Sequence, residues 1–262
     1  MTNFEAFILG VLQGLTEFLP ISSSGHLEIG QALFGLHPGN ELLFTVILHG
    51  ATVLSTIVVF RKEIKFILSG ISLKGNNEQS SYLIKLLISA IPIAIVGLVF
   101  ESEIKALFFG NIGIVGIMLL ITGLILVFAH FNRSREKPIG YFHSIIIGLV
   151  QVVAILPGIS RSGATISTAL LLGISREEAA RFSFLMVLLP IIGANAKIIF
   201  SGGWLEEGYS IQPLLIGFIA AFISGYIACK WMLSIVKSGK LLYFAIYCFI
   251  LGMSALIFHY RF

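Results

Sequence analysis

The sequence predicts an all-α polytopic membrane protein made of two inverted-topology repeats, each a re-entrant helix pair followed by three transmembrane helices. Three observations carry this prediction. The first is composition: of 262 residues, 57% are hydrophobic and only 11% charged, where a soluble domain carries about 25% charged residues. Mean hydropathy is +0.99, and several apolar runs reach the ~20 residues that cross a bilayer. The second is an internal repeat, and the third is the placing of the basic residues.

The repeat is read from identities at constant offset. Gly10, Gln13, Ser22, Ser24 and Gly25 recur 138 residues later as Gly148, Gln151, Ser160, Ser162 and Gly163, and Gly35 and Phe44 recur as Gly173 and Phe182. The register slips by one residue only where Leu19-Pro20 answers Leu156-Pro157. Gly110, Gly123 and His130 match Gly239, Gly252 and His259 at an offset of 129. Such matches over most of each half indicate a duplication. One membrane domain, 1–262, is expected, with repeats at 1–131 and 139–262.

Each half opens with two apolar arms too short to span comfortably, 4–19 and 23–35, then 143–156 and 162–174. A proline and small polar residues break each pair. Longer runs follow at 41–60, 83–100 and 111–131, then at 181–200, 211–230 and 241–260. Short interrupted segments at matching positions of two halves point to a site near the membrane midplane.

Three spans per half invert the second copy, and loop charges agree. Arg61, Lys62, Lys65, Lys74, Lys85, Arg133, Arg135, Lys137, Arg176, Arg181, Lys230, Lys237 and Lys240 all fall on one side of that topology. The other side receives Glu101, Glu103, Glu206 and Glu207, with Lys105 and Lys197. Basic loops are therefore expected in the cytoplasm and both termini outside. The net charge of +4 reflects these loops and not a nucleic-acid surface. No cleavable signal peptide is read in "MTNFEAFILG". Cys229 and Cys248 stand singly in apolar runs, as packing residues.

The stretch "EFLPISSSGHLEIG" (17–30) carries the first chemistry. Gln13 and Glu17 share one face of a helical arm. Pro20 ends that arm, and Ser22, Ser23 and Ser24 can cap the next. Ser23 and His26 then project from the same face of its first turn. A carboxylate, a hydroxyl and an imidazole gather at a helix N-terminus, an end that attracts phosphate.

The second break reads "LPGISRSGAT" (156–165). Ser160, Ser162 and Thr165 offer hydroxyls, Gly163 lets the backbone come close, and Arg161 brings a guanidinium suited to an oxyanion. Inversion sets Arg161 opposite Ser23 and His26. Phosphoryl transfer needs a nucleophile, a proton handler and charge neutralisation, and all three types are present. Elsewhere, Ser175 with Glu178 fits a capping box, His130 and His259 are read as interfacial, and His49 as a packing histidine. Glu28 receives no catalytic role.

"LQGLTEFLPISSSGH" (12–26) and "LPGISRSGAT" resemble the two signature motifs of the undecaprenyl-diphosphatase family, also called bacitracin-resistance proteins. The likeness continues through "LLLGISREEAARFSFLMVLLPIIGA" (170–194) and over essentially the whole chain. The resemblance implies a bacterial inner-membrane enzyme that removes the terminal phosphate of undecaprenyl diphosphate. Its product is the lipid carrier for peptidoglycan and other envelope glycans, and its active site opens to the outer face. It places the family's acidic motif on Gln13 and Glu17, its serine and histidine on Ser23 and His26, and its arginine on Arg161. It also implies a divalent cation, Mg2+ or Ca2+.

Gln13 stands where some members have Glu, and Thr45 where an acidic residue is common. A cation bound mainly through the substrate diphosphate and Glu17 follows, since magnesium keeps waters and substrate oxygens. Ser23, His26 or water could each be the nucleophile. Expected partners are the polyprenyl diphosphate and membrane lipids, with no nucleic acid and a possible homodimer. The competing function is a transporter or flippase for a polyprenyl phosphate, because inverted repeats with broken helices are also transporter architecture.

Overall fold

Two short helices, α1 (Asn3–Phe18) and α2 (Ser23–Leu33), form the first broken pair, followed by α3 (Leu42–Val59), α4 (Arg61–Ser69), α5 (Glu78–Val99) and α6 (Ile112–Phe131). The second half runs through α7 (Tyr141–Val153), α8 (Arg161–Leu171), α9 (Arg176–Met186), α10 (Leu188–Phe200), α11 (Ile211–Lys237) and α12 (Leu241–Arg261). The structure is a computed structural model that describes residues 1–36, 42–70, 77–100, 111–132, 136–200 and 210–261. Lys74, Glu101, Glu103, Lys105, Gly110, Arg133, Arg135, Glu206 and Glu207, used above for repeat and topology, lie outside the described residues.

Among the described residues, five stretches are long and apolar enough to cross a membrane: α5, α6, Arg176–Lys197, α11 and Leu241–Tyr260. The bent pair of α3 and α4, with 73° between its arms, makes a sixth if counted as one span. The chain is thus an all-helical, multi-pass membrane protein. Two details depart from the sequence expectations. The basic segment after the first span is not a loop but a helix, α4, with Arg61, Lys62 and Lys65 exposed beside exposed Phe66 and Leu68. The fourth run starts at Arg176 and changes helix at Val187. Pro190 accounts for that change, since it has no N–H and its ring crowds the carbonyl four residues back.

Small residues set how the broken pairs dock. α1 packs along α11, and a Cβ at Gly10 would strike the Gly217 carbonyl, one at Gly14 the Ser224 hydroxyl and Ala221 carbonyl. α7 packs along α5, where a Cβ at Gly148 would lie 2.6 Å from the Ser89 carbonyl oxygen. In a membrane, such close backbone approach replaces the hydrophobic drive between helices. α6 and α12 also pair: a Cβ at Gly116 would meet the Gly252 carbonyl at 2.9 Å, and one at Gly252 the Gly116 carbonyl at 2.8 Å. His130, at the end of α6, donates from Nδ1 to the Gly239 carbonyl before α12 (3.1 Å), while His259 lies against Gly113. Each histidine therefore closes on the start of the other helix, and the two helices run antiparallel.

The second arms end alike. Gly35 (φ 67°) and Gly173 (φ 88°) take the left-handed conformation. Their amides return to Ala32 and Leu170, and the next amides return to Gln31 and Ala169, the Schellman stop that favours glycine. At the α9 end, Ser175 accepts from the Glu178 amide (3.3 Å). Lys237 pairs with Glu177 at 3.1 Å, Arg181 reaches Glu177 and Glu178 at 3.4 and 3.6 Å, and Arg176 lies over Gly239. Part of the predicted basic side thus gathers at one end of the bundle. Cys229 and Cys248 are free and buried.

Candidate active site

The two breaks face each other. A Cβ at Gly25 would lie 3.2 Å from the Gly158 Cα, and one at Gly163 would lie 3.2 Å from the Pro20 Cβ. Each break is capped in the same way. The Ser22 hydroxyl accepts from the Gly25 amide (3.2 Å) and pairs with Ser24 (3.3 Å). The Ser160 hydroxyl accepts from the Gly163 amide (3.0 Å) and pairs with Ser162 (3.3 Å). These caps use the third amide of each helix, so the amides of Ser23, Ser24, Arg161 and Ser162 are those a helix start leaves without an intrahelical acceptor. Ser162 also donates to the Leu19 carbonyl of the other break (3.1 Å).

Glu17 is the hub. It sits in the last turn of α1, the negative end of that helix's dipole, so its charge must be held from elsewhere. Arg161, at the first position of α8, donates to Oε1 at 2.6 Å. Ser23, at the first position of α2, donates to Oε2 at 2.6 Å, and the Gln13 amide donates to the same oxygen at 3.0 Å. The side chain of Glu17 is only 8% exposed and that of Arg161 22%. Both point toward a cleft lined also by Thr52, Val53, Thr56, Ser162, Ser183 and Phe184, with about 340 Å³ not filled by protein atoms.

His26 stands differently from the expectation. It is buried, with Nδ1 2.7 Å from the Ser22 carbonyl and Nε2 2.7 Å from the Tyr247 hydroxyl. Both ring nitrogens are therefore engaged away from Ser23 and Glu17. Thr165 is buried too, its hydroxyl donating to the Arg161 carbonyl (2.8 Å) and so turned onto its own helix. Glu28 is half-buried on α2.

Three residues at or behind the site were not singled out for it by sequence. His49, read as packing, has Nε2 3.6 Å from Glu17 Oε2, with Nδ1 on the Thr45 carbonyl (2.8 Å). Its position one turn before Thr52 and two before Thr56, on the face of α3 that lines the cleft, is the signal that could have found it. Thr122 of α6 donates to the Gly158 carbonyl (2.9 Å) and accepts from the Ser160 amide (3.0 Å), bracing the second break. Tyr247 comes from α12, with no local signal.

The donor set bears on the expected cation. Both oxygens of Glu17 already accept from protein donors, and the Gln13 Oε1 is a buried oxygen without a hydrogen-bond partner. No group of three or more His, Cys, Asp or Glu that could hold a metal ion occurs among the described residues. One carboxylate and one amide oxygen are fewer ligands than a divalent cation held by protein alone requires.

Comparison with known proteins agrees with the motifs. The family described as bacitracin resistance protein BacA matches residues 6–254. An undecaprenyl-diphosphatase of Christiangramia forsetii is 53% identical over 262 residues, covering 99% of each chain. One of Bacteroides fragilis is 49% identical over 264 residues, covering 98% of each. One of Carboxydothermus hydrogenoformans is 40% identical over 265 residues, covering 98% of this chain and 97% of its own.

Proposed function

The chain belongs to the bacitracin resistance protein family BacA, and on that premise we propose that it is a membrane undecaprenyl-diphosphatase. It hydrolyses undecaprenyl diphosphate to undecaprenyl phosphate and inorganic phosphate, recycling the lipid carrier for cell-wall glycans and conferring bacitracin resistance. The observation that carries the mechanism is the hydroxyl of Ser23 donating to Glu17 at 2.6 Å while Arg161 holds the other carboxylate oxygen.

Ser23 Oγ attacks the terminal phosphorus as its proton passes to Glu17. The bond from phosphorus to the bridging oxygen breaks, and the electron pair leaves with undecaprenyl phosphate, which takes up the proton. Water then adds to the phosphoserine, Glu17 relaying a proton from water to Ser23 Oγ as the Ser23–phosphorus bond breaks. Arg161 has five N–H donors, so it can keep one on Glu17 and turn others to the phosphoryl oxygens. The amides that open α2 and α8 add positive potential from two sides, with Ser22, Ser24, Ser160, Ser162 and Gly163 fixing those turns. Glu17 and Gln13 are the residues that would meet a Mg2+ or Ca2+ on the diphosphate, where the ion's contribution is to offset phosphate charge.

In this reading the halves 1–131 and 139–262 are inverted copies. The paired contacts of α1 with α11 and α7 with α5, and the antiparallel α6 and α12, support it. The protein sits in the bacterial inner membrane with its basic end cytoplasmic and its termini and site mouth outside.

The test is phosphate release from undecaprenyl diphosphate by purified protein in detergent, with labelled phosphate trapped on the enzyme. Release, with label on Ser23, is expected. No release from well-folded protein sinks the assignment, and label on His26 or on neither residue sinks the serine mechanism.

A further inference from the structure

We propose that Tyr247 is a positioning residue of this site: its phenol anchors Nε2 of His26, and His26 in turn clamps the turn that presents Ser23. The proposal deepens the phosphatase reading and rests on it for the part played by Ser23.

The hydrogen-bond chain has one direction. A carbonyl oxygen only accepts, so the 2.7 Å contact between His26 Nδ1 and the Ser22 carbonyl puts the proton on Nδ1. With the ring neutral, Nε2 is then an acceptor for the Tyr247 hydroxyl 2.7 Å away. The two rings lie parallel, 5° apart in plane with centroids 5.6 Å apart. His26 is 6% exposed and Tyr247 42%, so the tyrosine covers the imidazole.

The clamp grips an unusual residue. Ser22 has φ 69° and ψ 95°, a left-handed backbone that is strained for a residue bearing a Cβ. Its carbonyl is held twice by His26, through Nδ1 and through the backbone amide at 3.2 Å. Its hydroxyl caps α2. Ser23 follows directly, so the conformation of Ser22 aims Ser23 Oγ at Glu17.

The second break is the internal control. There the capping residue Ser160 has an ordinary φ of −72°. The positive φ belongs to Gly158 (93°), where no Cβ opposes it. At the offset of 138, the place of His26 is taken by Ala164. The imidazole clamp thus occurs in the half that has the strained serine and is missing from the half that uses glycine.

The test uses full-length protein in detergent with 15N-labelled histidine, the His26 signal assigned by its loss in His26→Gln. Wild type is expected to show a single neutral His26 protonated on Nδ1. Tyr247→Phe keeps the ring and removes the hydroxyl. It should keep the proton on Nδ1, shift the 15N signal of Nε2 as that nitrogen loses its donor, and lower kcat by about 10-fold, a misplacement of the nucleophile and not of binding, with KM little changed. Ser22→Gly in the Tyr247→Phe background relaxes the backbone and should recover part of that kcat. Wild-type kcat in Tyr247→Phe, or a His26 protonated only on Nε2, overturns the proposal. Phosphate release absent from wild type would instead overturn the phosphatase reading, while the His26 tautomer would still report on the clamp.

Discussion

Arg161 and Glu17 lie 144 residues apart in the chain and 2.6 Å apart in the fold, joining the two broken helix pairs through one ion pair. Glu17 is at the wrong end of its own helix dipole, and the guanidinium stands at the start of α8. The pair therefore brings together a carboxylate and a guanidinium, of which each break holds only one.

That relationship predicts a specific pattern of loss and rescue. Arg161→Ala leaves a buried carboxylate unpaired, which should destabilise the protein by about 3–5 kcal/mol. Adding Glu17→Gln removes the stranded charge, so thermal unfolding of the double variant should return most of the way to wild type. Phosphate release should stay at background in both. A double variant no more stable than Arg161→Ala would show that the pair does not hold the breaks together.

Ser23 should separate chemistry from stability. Its hydroxyl makes one hydrogen bond in this site, to the Glu17 carboxylate, so Ser23→Ala should cost about 1.5–3 kcal/mol in unfolding. The rate of phosphate release should fall by at least ~10³-fold, as removal of a covalent nucleophile does. Phosphate release and denaturant melts on the same preparation give both values. Retained turnover would move the nucleophile to His26 or water.

Much of this site is legible in the sequence because its two halves are written locally. The serine caps, Pro20, Gly35 and Gly173 each act within a few residues, and the offset of 138 ties one half to the other. Glu17, Ser23 and Arg161 are legible for the same reason: each sits at a helix end that a proline or a capping serine marks. His49 and Tyr247 are not, because what matters for them is how α3 and α12 rotate against α1 and α2. Sequence spacing along one helix does not fix that rotation. Thr122 is a single hydroxyl in an apolar span, where bonding to its own helix is the ordinary expectation. The change of helix at Val187 has a signal in Pro190, but Pro92 sits within α5 without ending it, so proline alone does not decide.

His49 should matter through Glu17. With Nδ1 on the Thr45 carbonyl, its Nε2 is the end turned toward the carboxylate. His49→Leu removes that polar neighbour and should lower kcat by about 10-fold, less than the 10²–10⁴ of a general acid or base. His49→Gln, which keeps a polar group beside Glu17, should stay closer to wild type. Steady-state phosphate release for both variants checks the order, and equal losses would assign His49 a packing role.

Thr122 offers the sharpest stability test. It is 1% exposed, and its hydroxyl does two things at once, donating to the Gly158 carbonyl and accepting from the Ser160 amide. Gly158 lies at the positive φ of the break, and Ser160 caps the helix that begins with Arg161. Thr122→Val keeps the shape but strands both backbone groups in a buried place, at about 1–3 kcal/mol for each. Thr122→Ser keeps the hydroxyl and loses one methyl, about 1 kcal/mol. The expected order of unfolding stability is wild type, then Thr122→Ser, then Thr122→Val. Phosphate release should fall in the same order, because a loosened break no longer fixes Arg161 on Glu17. If Thr122→Val melts with wild type, the second break is held by its own glycine and serine caps, and α6 contributes packing alone.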